Sequence, residues 1–177
     1  MTLPPRLLLA ALLGGFGLLA CLDAAPRRMR EEPEVLQGRV VRVGDGDTFD
    51  LEVTGRPRLR VRLQGIDAPE LAQEHGRMAK AALETLALGR VVQVRTRNRD
   101  RHGRQIGVVL LEGQDLNQRL VSEGHAWQDP RFAVELPPET ARRYAQAQVE
   151  ARAGRRGLWQ APRPEAPWDW RRRNPRP

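Results

Sequence analysis

Val40-Val41-Arg42-Val43-Gly44-Asp45-Gly46-Asp47-Thr48-Phe49-Asp50-Leu51-Glu52-Val53 reads as two strands folded on a turn. β-Branched residues at 40, 41 and 43 favour extended backbone. Gly44-Asp45-Gly46-Asp47 is turn chemistry. Beyond it Phe49, Leu51 and Val53 recur at every second position and so share one face of a strand. Gly55-Arg56-Pro57 marks a second turn, and Arg58 to Leu63 then alternates strictly. Leu59, Val61 and Leu63 face one way, and Arg58, Arg60 and Arg62 the other.

Working outward, the first strand extends back to Leu36. Downstream, Arg77 to Leu88 is rich in Ala and Leu and predicts a helix closed by Gly89. Val91 to Arg95 and Gln105 to Leu111 predict two more strands. Leu116 to Glu123 predicts a short helix ending at Gly124. Pro138 to Ala153 predicts a longer one, with Pro at its start and Gly154 at its end. Five short strands with one interposed helix predict an α+β domain, a small five-stranded Greek-key β-barrel of the OB type with about three helices. The domain is expected over residues 35–161. A tail over 162–177, rich in Pro, Trp and Arg, is expected to be too short and proline-broken to pack as an element of its own, with Arg171-Arg172-Arg173 solvated or, as the alternative, holding a nucleic-acid backbone or an anionic lipid surface.

The chain has 177 residues and a formal charge of +8, carried almost wholly by arginine, since Lys80 is the only lysine. A basic surface concentrates polyanions, and nucleic acid is the commonest of them. Arginine-rich coding from a GC-rich genome accounts for the same number, so charge alone does not select a partner.

Leu7 to Leu22 is an apolar run without a charge, preceded by Arg6. It is short for a spanning helix and fits the core of a secretory signal. Leu18-Leu19-Ala20-Cys21 resembles a bacterial lipobox, which predicts a signal peptide over 1–21 and lipidation of Cys21. An ordinary cleaved signal or an uncleaved anchor are the alternatives, and all three export the domain. Residues 22–34 then form a polar linker. A single cysteine leaves no intrachain disulfide.

Three polar motifs lie on this strand pattern. They are Asp45-Gly46-Asp47-Thr48, then Arg62-Leu63-Gln64-Gly65-Ile66-Asp67-Ala68-Pro69-Glu70, then Asp100-Arg101-His102-Gly103-Arg104. Each alone is ordinary: a hairpin turn, a solvated strand residue with a helix-opening turn, a charged loop. The first is not an EF-hand loop, because Asp50 stands where the invariant Gly belongs and Arg56 where the bidentate Glu belongs. His75, His102 and His125 match no zinc spacing.

Together, in this order, the motifs resemble the staphylococcal nuclease family, whose pattern runs Asp-Gly-Asp-Thr, Arg-Leu-x-x-x-Asp-x-Pro-Glu, Asp-x-Tyr-Gly-Arg. Leu120 to Trp127 is similar to its middle helix, and Ala145 to Gln148 followed by Gly157-Leu158-Trp159 to its last helix and exit. Pro167-Trp168-Asp169-Trp170-Arg171 resembles a tail of bacterial members. The resemblance implies metal ligation by Asp47 and Asp67 and by the backbone carbonyl of Ala68. It implies water activation by Glu70 and a grip on the scissile phosphate by Arg62 and Arg104. It also implies calcium, with magnesium or manganese compatible with the same oxygen ligands, and hydrolysis of DNA and RNA to 3′-phosphate ends.

The chemistry explains these residue types. A phosphodiester repels an anionic nucleophile, and a hard cation on oxygen ligands neutralises that charge and orients a water. A further carboxylate can take the water's proton. Guanidinium groups meet the charge that builds on phosphate oxygens with paired hydrogen bonds. Two departures stand out. His102 replaces the family's Tyr, and Arg101 its Lys; both are expected to touch substrate phosphates. Gln128 to Phe132 replaces the expected tyrosines, leaving Trp127 or Phe132 to stack on a base, with Trp127 the better candidate for core.

The alternatives are a non-catalytic OB-type nucleic-acid-binding envelope protein, or an envelope lipoprotein with an interaction role only. Partners expected on the first reading are DNA and RNA, and a membrane where Cys21 is lipidated. No protein partner is implied.

Overall fold

The computed structural model describes residues 33–175. The signal segment 1–21, Cys21 and residues 22–32 of the linker lie outside the described residues.

A long first strand, β1 (Glu34–Asp45), organises the barrel. Its first half pairs with β5 (Val91–Arg99) and its second half with β2 (Thr48–Glu52), both antiparallel. Arg39 sits at the changeover, opposite both Glu52 and Val91. Register shifts between Val40 and Arg42 and between Val43 and Asp45 mark irregularities, which add the twist that lets one strand serve two neighbours. β2 pairs antiparallel with β3 (Leu59–Leu63), β5 pairs antiparallel with β6 (Gln105–Leu111), and β3 pairs in parallel with β6. That last pairing closes the five strands into the barrel that the strand count predicts.

β1 and β5 run further than their sequence suggests. β5 continues past Arg95 to Arg99 because Thr96 carries on the buried alternation of Val92 and Val94, while arginines at 95, 97 and 99 face water.

The barrel interior is the alternating set: Val40, Val43, Phe49, Leu51, Val61, Leu63, Val92, Val94 and Val109 are all buried. α1 (Gly76–Ala87) plugs it with Ala79, Leu83 and Ala87. α2 (Leu116–Ser122) adds Leu116, Leu120 and Val121, and α4 (Pro138–Ala153) adds Tyr144 and Ala147. The Tyr144 hydroxyl hydrogen-bonds the Asp115 carboxylate at 2.8 Å, and Asp115 also caps α2 by accepting from the Gln118 N–H. Asn117, fully buried, accepts from the Val109 N–H at 3.1 Å and donates to the Gln64 and Gly107 carbonyls, tying α2 to the seam that closes the barrel.

Short pieces complete the fold. β4 (Ile66–Asp67) pairs with β8 (Trp127–Gln128), and β7 (Gln114–Asp115) folds back to pair antiparallel with β6. α3 (Pro130–Ala133) follows β8, and a 3-10 turn spans Gly157–Gln160. The last element corrects an expectation. Residues 167–173 do pack, as helix α5 (Pro167–Arg173). Its proline stands at the first helical turn, where a missing N–H costs nothing. Trp168 meets the Trp127 ring edge-on at 5.6 Å, in a second apolar cluster with Ala151, Leu158, Trp159 and Ala166.

Candidate active site

The loops that carry the three motifs leave the barrel at one end. The register sets this: Thr48 stands opposite Arg62, Val61 opposite Gln105, and Arg99 opposite Gln105. The β1–β2 turn, the residues after β3 and the β5–β6 loop therefore converge. Between them lies a cleft of about 680 Å³ lined by Asp47, Arg62, Asp67, Ala68, Glu70, Arg101, His102 and Arg104. All eight of the catalytic, metal and phosphate-contact residues expected from the motifs meet there.

Two glycines make the approach possible. A Cβ on Gly46 would stand 2.6 Å from the Cβ of Ala68 and 2.7 Å from that of Ala79, so only glycine lets the β1–β2 turn lie against α1 and the Ala68 loop. A Cβ on Gly76 would stand 1.8 Å from the Glu70 carbonyl oxygen, so glycine at the start of α1 lets the 68–75 loop fold back beneath it.

Asp47 is buried. Its Oδ2 accepts from the Ala68 N–H at 2.7 Å and lies 3.0 Å from Arg62 Nη1. Burial pushes its pKa up to about 7 against the pull of Arg62, with Asp45 and Asp67 pushing the same way as burial. Asp67 is 1% exposed, on β4. Its Oδ1 accepts from Arg62 Nη2 at 3.1 Å, so Arg62 bridges the two aspartates. Arg62 also donates to the Leu63 and Ile66 carbonyls at 3.0 and 2.9 Å, which fixes it in place.

Arg104 is held from below. Its Nε donates to Asp100 Oδ2 at 2.7 Å, and its amide and that of His102 donate to Asp100 Oδ1. Burial raises the Asp100 carboxyl, but these hydrogen bonds outweigh it and leave its pKa below the ordinary value. Gly103 has a φ of 76°, which closes the loop. Arg101 and His102 are exposed and touch each other, Nε to Nε2, at 3.2 Å.

Two arginines at the cleft were not among the expected site residues. Arg171 of α5 donates to Asp67 Oδ2 at 2.5 Å, to Asp67 Oδ1 at 3.2 Å and to Glu70 Oε1 at 2.9 Å. Burial lowers its pKa, and the hydrogen bonds to Asp67 and Glu70 more than reverse this. It is the opposite of a solvated tail residue; the signal was the Pro-Trp-Asp-Trp-Arg run, whose Trp168 anchors the helix. Arg131 of α3 grips the buried Asp129 through Nε and Nη2 at 3.0 and 2.7 Å and comes within 3.7 Å of Asp67. Its guanidinium also lies 5.0 Å from the centre of the Trp168 ring. Trp127 is core, as its position suggested, whereas Phe132 is exposed and lines the cleft.

Among the described residues, no three acidic or imidazole groups close into a ready cation cage. Guanidinium groups bridge the carboxylates instead: Arg62 joins Asp47 to Asp67, and Arg171 joins Asp67 to Glu70. Buried, mutually repelling carboxylates that draw in positive charge are the donor set a hard dication needs. The residues present therefore fit such an ion.

A family model described as staphylococcal nuclease homologue matches residues 60–161. An uncharacterized endonuclease of Escherichia coli O157:H7 is 40% identical over 141 residues, covering 78% of this chain and 86% of that protein. A micrococcal nuclease of Shigella flexneri is 40% identical over 145 residues, covering 77% and 80%. An uncharacterized endonuclease of Haemophilus influenzae is 35% identical over 134 residues, covering 76% and 72%. With the closed five-stranded barrel and the three motifs gathered on one cleft, these matches make the chain a member of the staphylococcal nuclease family.

Proposed function

We propose that this chain is a divalent-cation-dependent endonuclease, with calcium as its cation, that hydrolyses phosphodiester bonds of DNA and RNA with little sequence preference and leaves 3′-phosphate ends. The observation that carries the reading is the meeting of Asp47, Asp67, Glu70, Arg62 and Arg104 in one cleft. Asp47, Asp67 and the Ala68 carbonyl would hold the cation. When bound, it supplies charge neutralisation at the phosphate and polarisation of a water.

The chain's own groups do the rest. Glu70 takes a proton from the attacking water, whose oxygen bonds to phosphorus. The phosphorus–O5′ bond breaks, and the leaving oxygen collects a proton to become a 5′-hydroxyl. Arg62 and Arg104 meet the charge that grows on the phosphate oxygens, each contact being worth about 3 kcal/mol at the transition state. Arg62 is preorganised by two backbone carbonyls and Arg104 by Asp100, so neither waits on reorganisation. Arg101 and His102, on the exposed rim, suit contacts to neighbouring phosphates.

The test is cleavage of a plasmid and a labelled single strand by the purified chain, with calcium, with magnesium and with chelator. Glu70→Gln is expected to slow calcium-dependent cutting at least about a hundredfold. DNA binding retained in chelator, with no cutting under any metal, would favour the non-catalytic binding protein instead. Export belongs to the same reading and rests on the apolar run before Cys21. Labelled palmitate incorporated by the chain, and lost in Cys21→Ala, is the expected sign of lipid anchoring.

A further inference from the structure

Both oxygens of Asp67 are engaged by arginine. Its Oδ1 accepts from Arg62 at 3.1 Å and from Arg171 at 3.2 Å, and its Oδ2 accepts from Arg171 at 2.5 Å. Glu70 Oε1 accepts from the same Arg171 at 2.9 Å. Both Asp67 oxygens and Glu70 Oε1 therefore face guanidinium N–H groups. A dication held on Asp67 would stand against these like charges, and that repulsion favours release of at least one arginine.

The surroundings decide which one. Arg62 has 15% of its side chain exposed, sits on a barrel strand and is bound to Asp47 and to two backbone carbonyls besides Asp67. Arg171 has 37% exposed, and its hydrogen bonds go to the two carboxylates. Its helix is anchored by other residues. Pro167 is buried, Trp168 packs on Trp127, and Arg173 bonds Glu165. The Arg171 side chain can therefore swing while α5 stays docked, whereas moving Arg62 would break the barrel end.

We propose that Arg171 is a positioning residue of the active site, a tethered guanidinium that holds Asp67 and Glu70 in the cation-free enzyme and must yield them when the divalent cation binds. The inference rests on the cation reading above. In the cation-free chain Arg171 supplies the positive charge that keeps the carboxylates of one cleft from repelling each other. It thereby sets a threshold for cation binding, because each ion bound must first displace it.

The test is calcium binding by the full chain in the absence of nucleic acid, followed by titration calorimetry. Arg171→Gln removes the competitor, a half-buried guanidinium on a buried carboxylate, and calcium should bind about fivefold tighter. Arg173→Gln, on the same helix but paired to Glu165, should leave the affinity unchanged. The variant's melting temperature should fall in chelator and recover to that of the unchanged chain in saturating calcium, a pattern that a merely structural contact does not give. If Arg171→Gln does not fold, Arg171→Lys keeps a charge without the two-pronged grip and should bind calcium more tightly than the unchanged chain. An affinity that is unchanged or weaker in the variant that folds overturns the inference and leaves the cation reading standing. No calcium binding by either chain overturns both.

Discussion

Phe49 and Trp168 sit in two different apolar clusters, and each stands close in sequence to a residue of the cleft. Phe49 is two residues from Asp47, fully buried in the barrel among strands that pair along their whole length. Trp168 is three residues from Arg171, half-buried, against the Trp127 ring and the Arg131 guanidinium. One side of the cleft is thus set by the core and the other is pinned to the core's outside. The difference fits the roles proposed for them. Ligand carboxylates and Arg62 need fixed geometry, while Arg171 needs room to leave.

The largest expected effect breaks the first side. Phe49→Ala should cost about 3–5 kcal/mol, the usual range for emptying a fully buried aromatic site. Domains of this size are commonly stable by only about 5–15 kcal/mol. Urea denaturation should show a lowered midpoint, and cation binding should be lost together with the fold. A change under about 1 kcal/mol would mean that the barrel does not dominate stability.

A smaller effect separates the second side from the first. Trp168→Ala removes an edge-on ring contact and the ring beneath Arg131, together worth about 1–2 kcal/mol. The barrel should stay folded, with its far-ultraviolet dichroism unchanged. Because α5 loses its anchor, Arg171 should hold Asp67 less often, and calcium should bind more tightly, as in Arg171→Gln. Weaker calcium binding in Trp168→Ala would show instead that α5 builds the cation site.

The same contrast explains what the sequence made readable. Strand alternation at 49, 51 and 53 and at 59, 61 and 63 comes from a rule with period two, and the barrel follows it. The polar motifs were legible because their residues are local, with Asp67 to Glu70 lying within four positions. Arg171 was not legible in this way. It reaches Asp67 across 104 positions, through packing of tryptophans whose partners no periodicity announces. Arg131 hid for a related reason: its approach to Asp67 becomes visible only when β8 lies beside β4 and turns α3 toward the cleft. Arginine at 95, 97 and 99 concealed the second half of β5 because charge on the wet face masked the short buried row beneath it.

The smallest expected effect concerns the contact between the start of α1 and the end of α2. His75, just before α1, and His125, after α2, stack with ring centres 5.3 Å apart and share a contact of 3.1 Å between Nε2 and Nδ1. Burial lowers both pKa values from the ordinary 6.5. The neighbouring histidine adds to this at His75, and Glu123, 4.0 Å away, opposes it at His125. The folded pair thus resists protonation, while the unfolded chain accepts protons near its ordinary pKa. The unfolded state then binds more protons as pH falls below about 6.5, so this contribution to stability is full above that value and declines below it. Asparagine tolerates the left-handed backbone at His75, where φ is 66°, so His75→Asn with His125→Asn is a fair control. Between pH 7.5 and 5.5 the unchanged chain should lose more urea resistance than the double variant, since all other titrating groups are common to both. Equal losses would move the acid sensitivity away from the histidine pair.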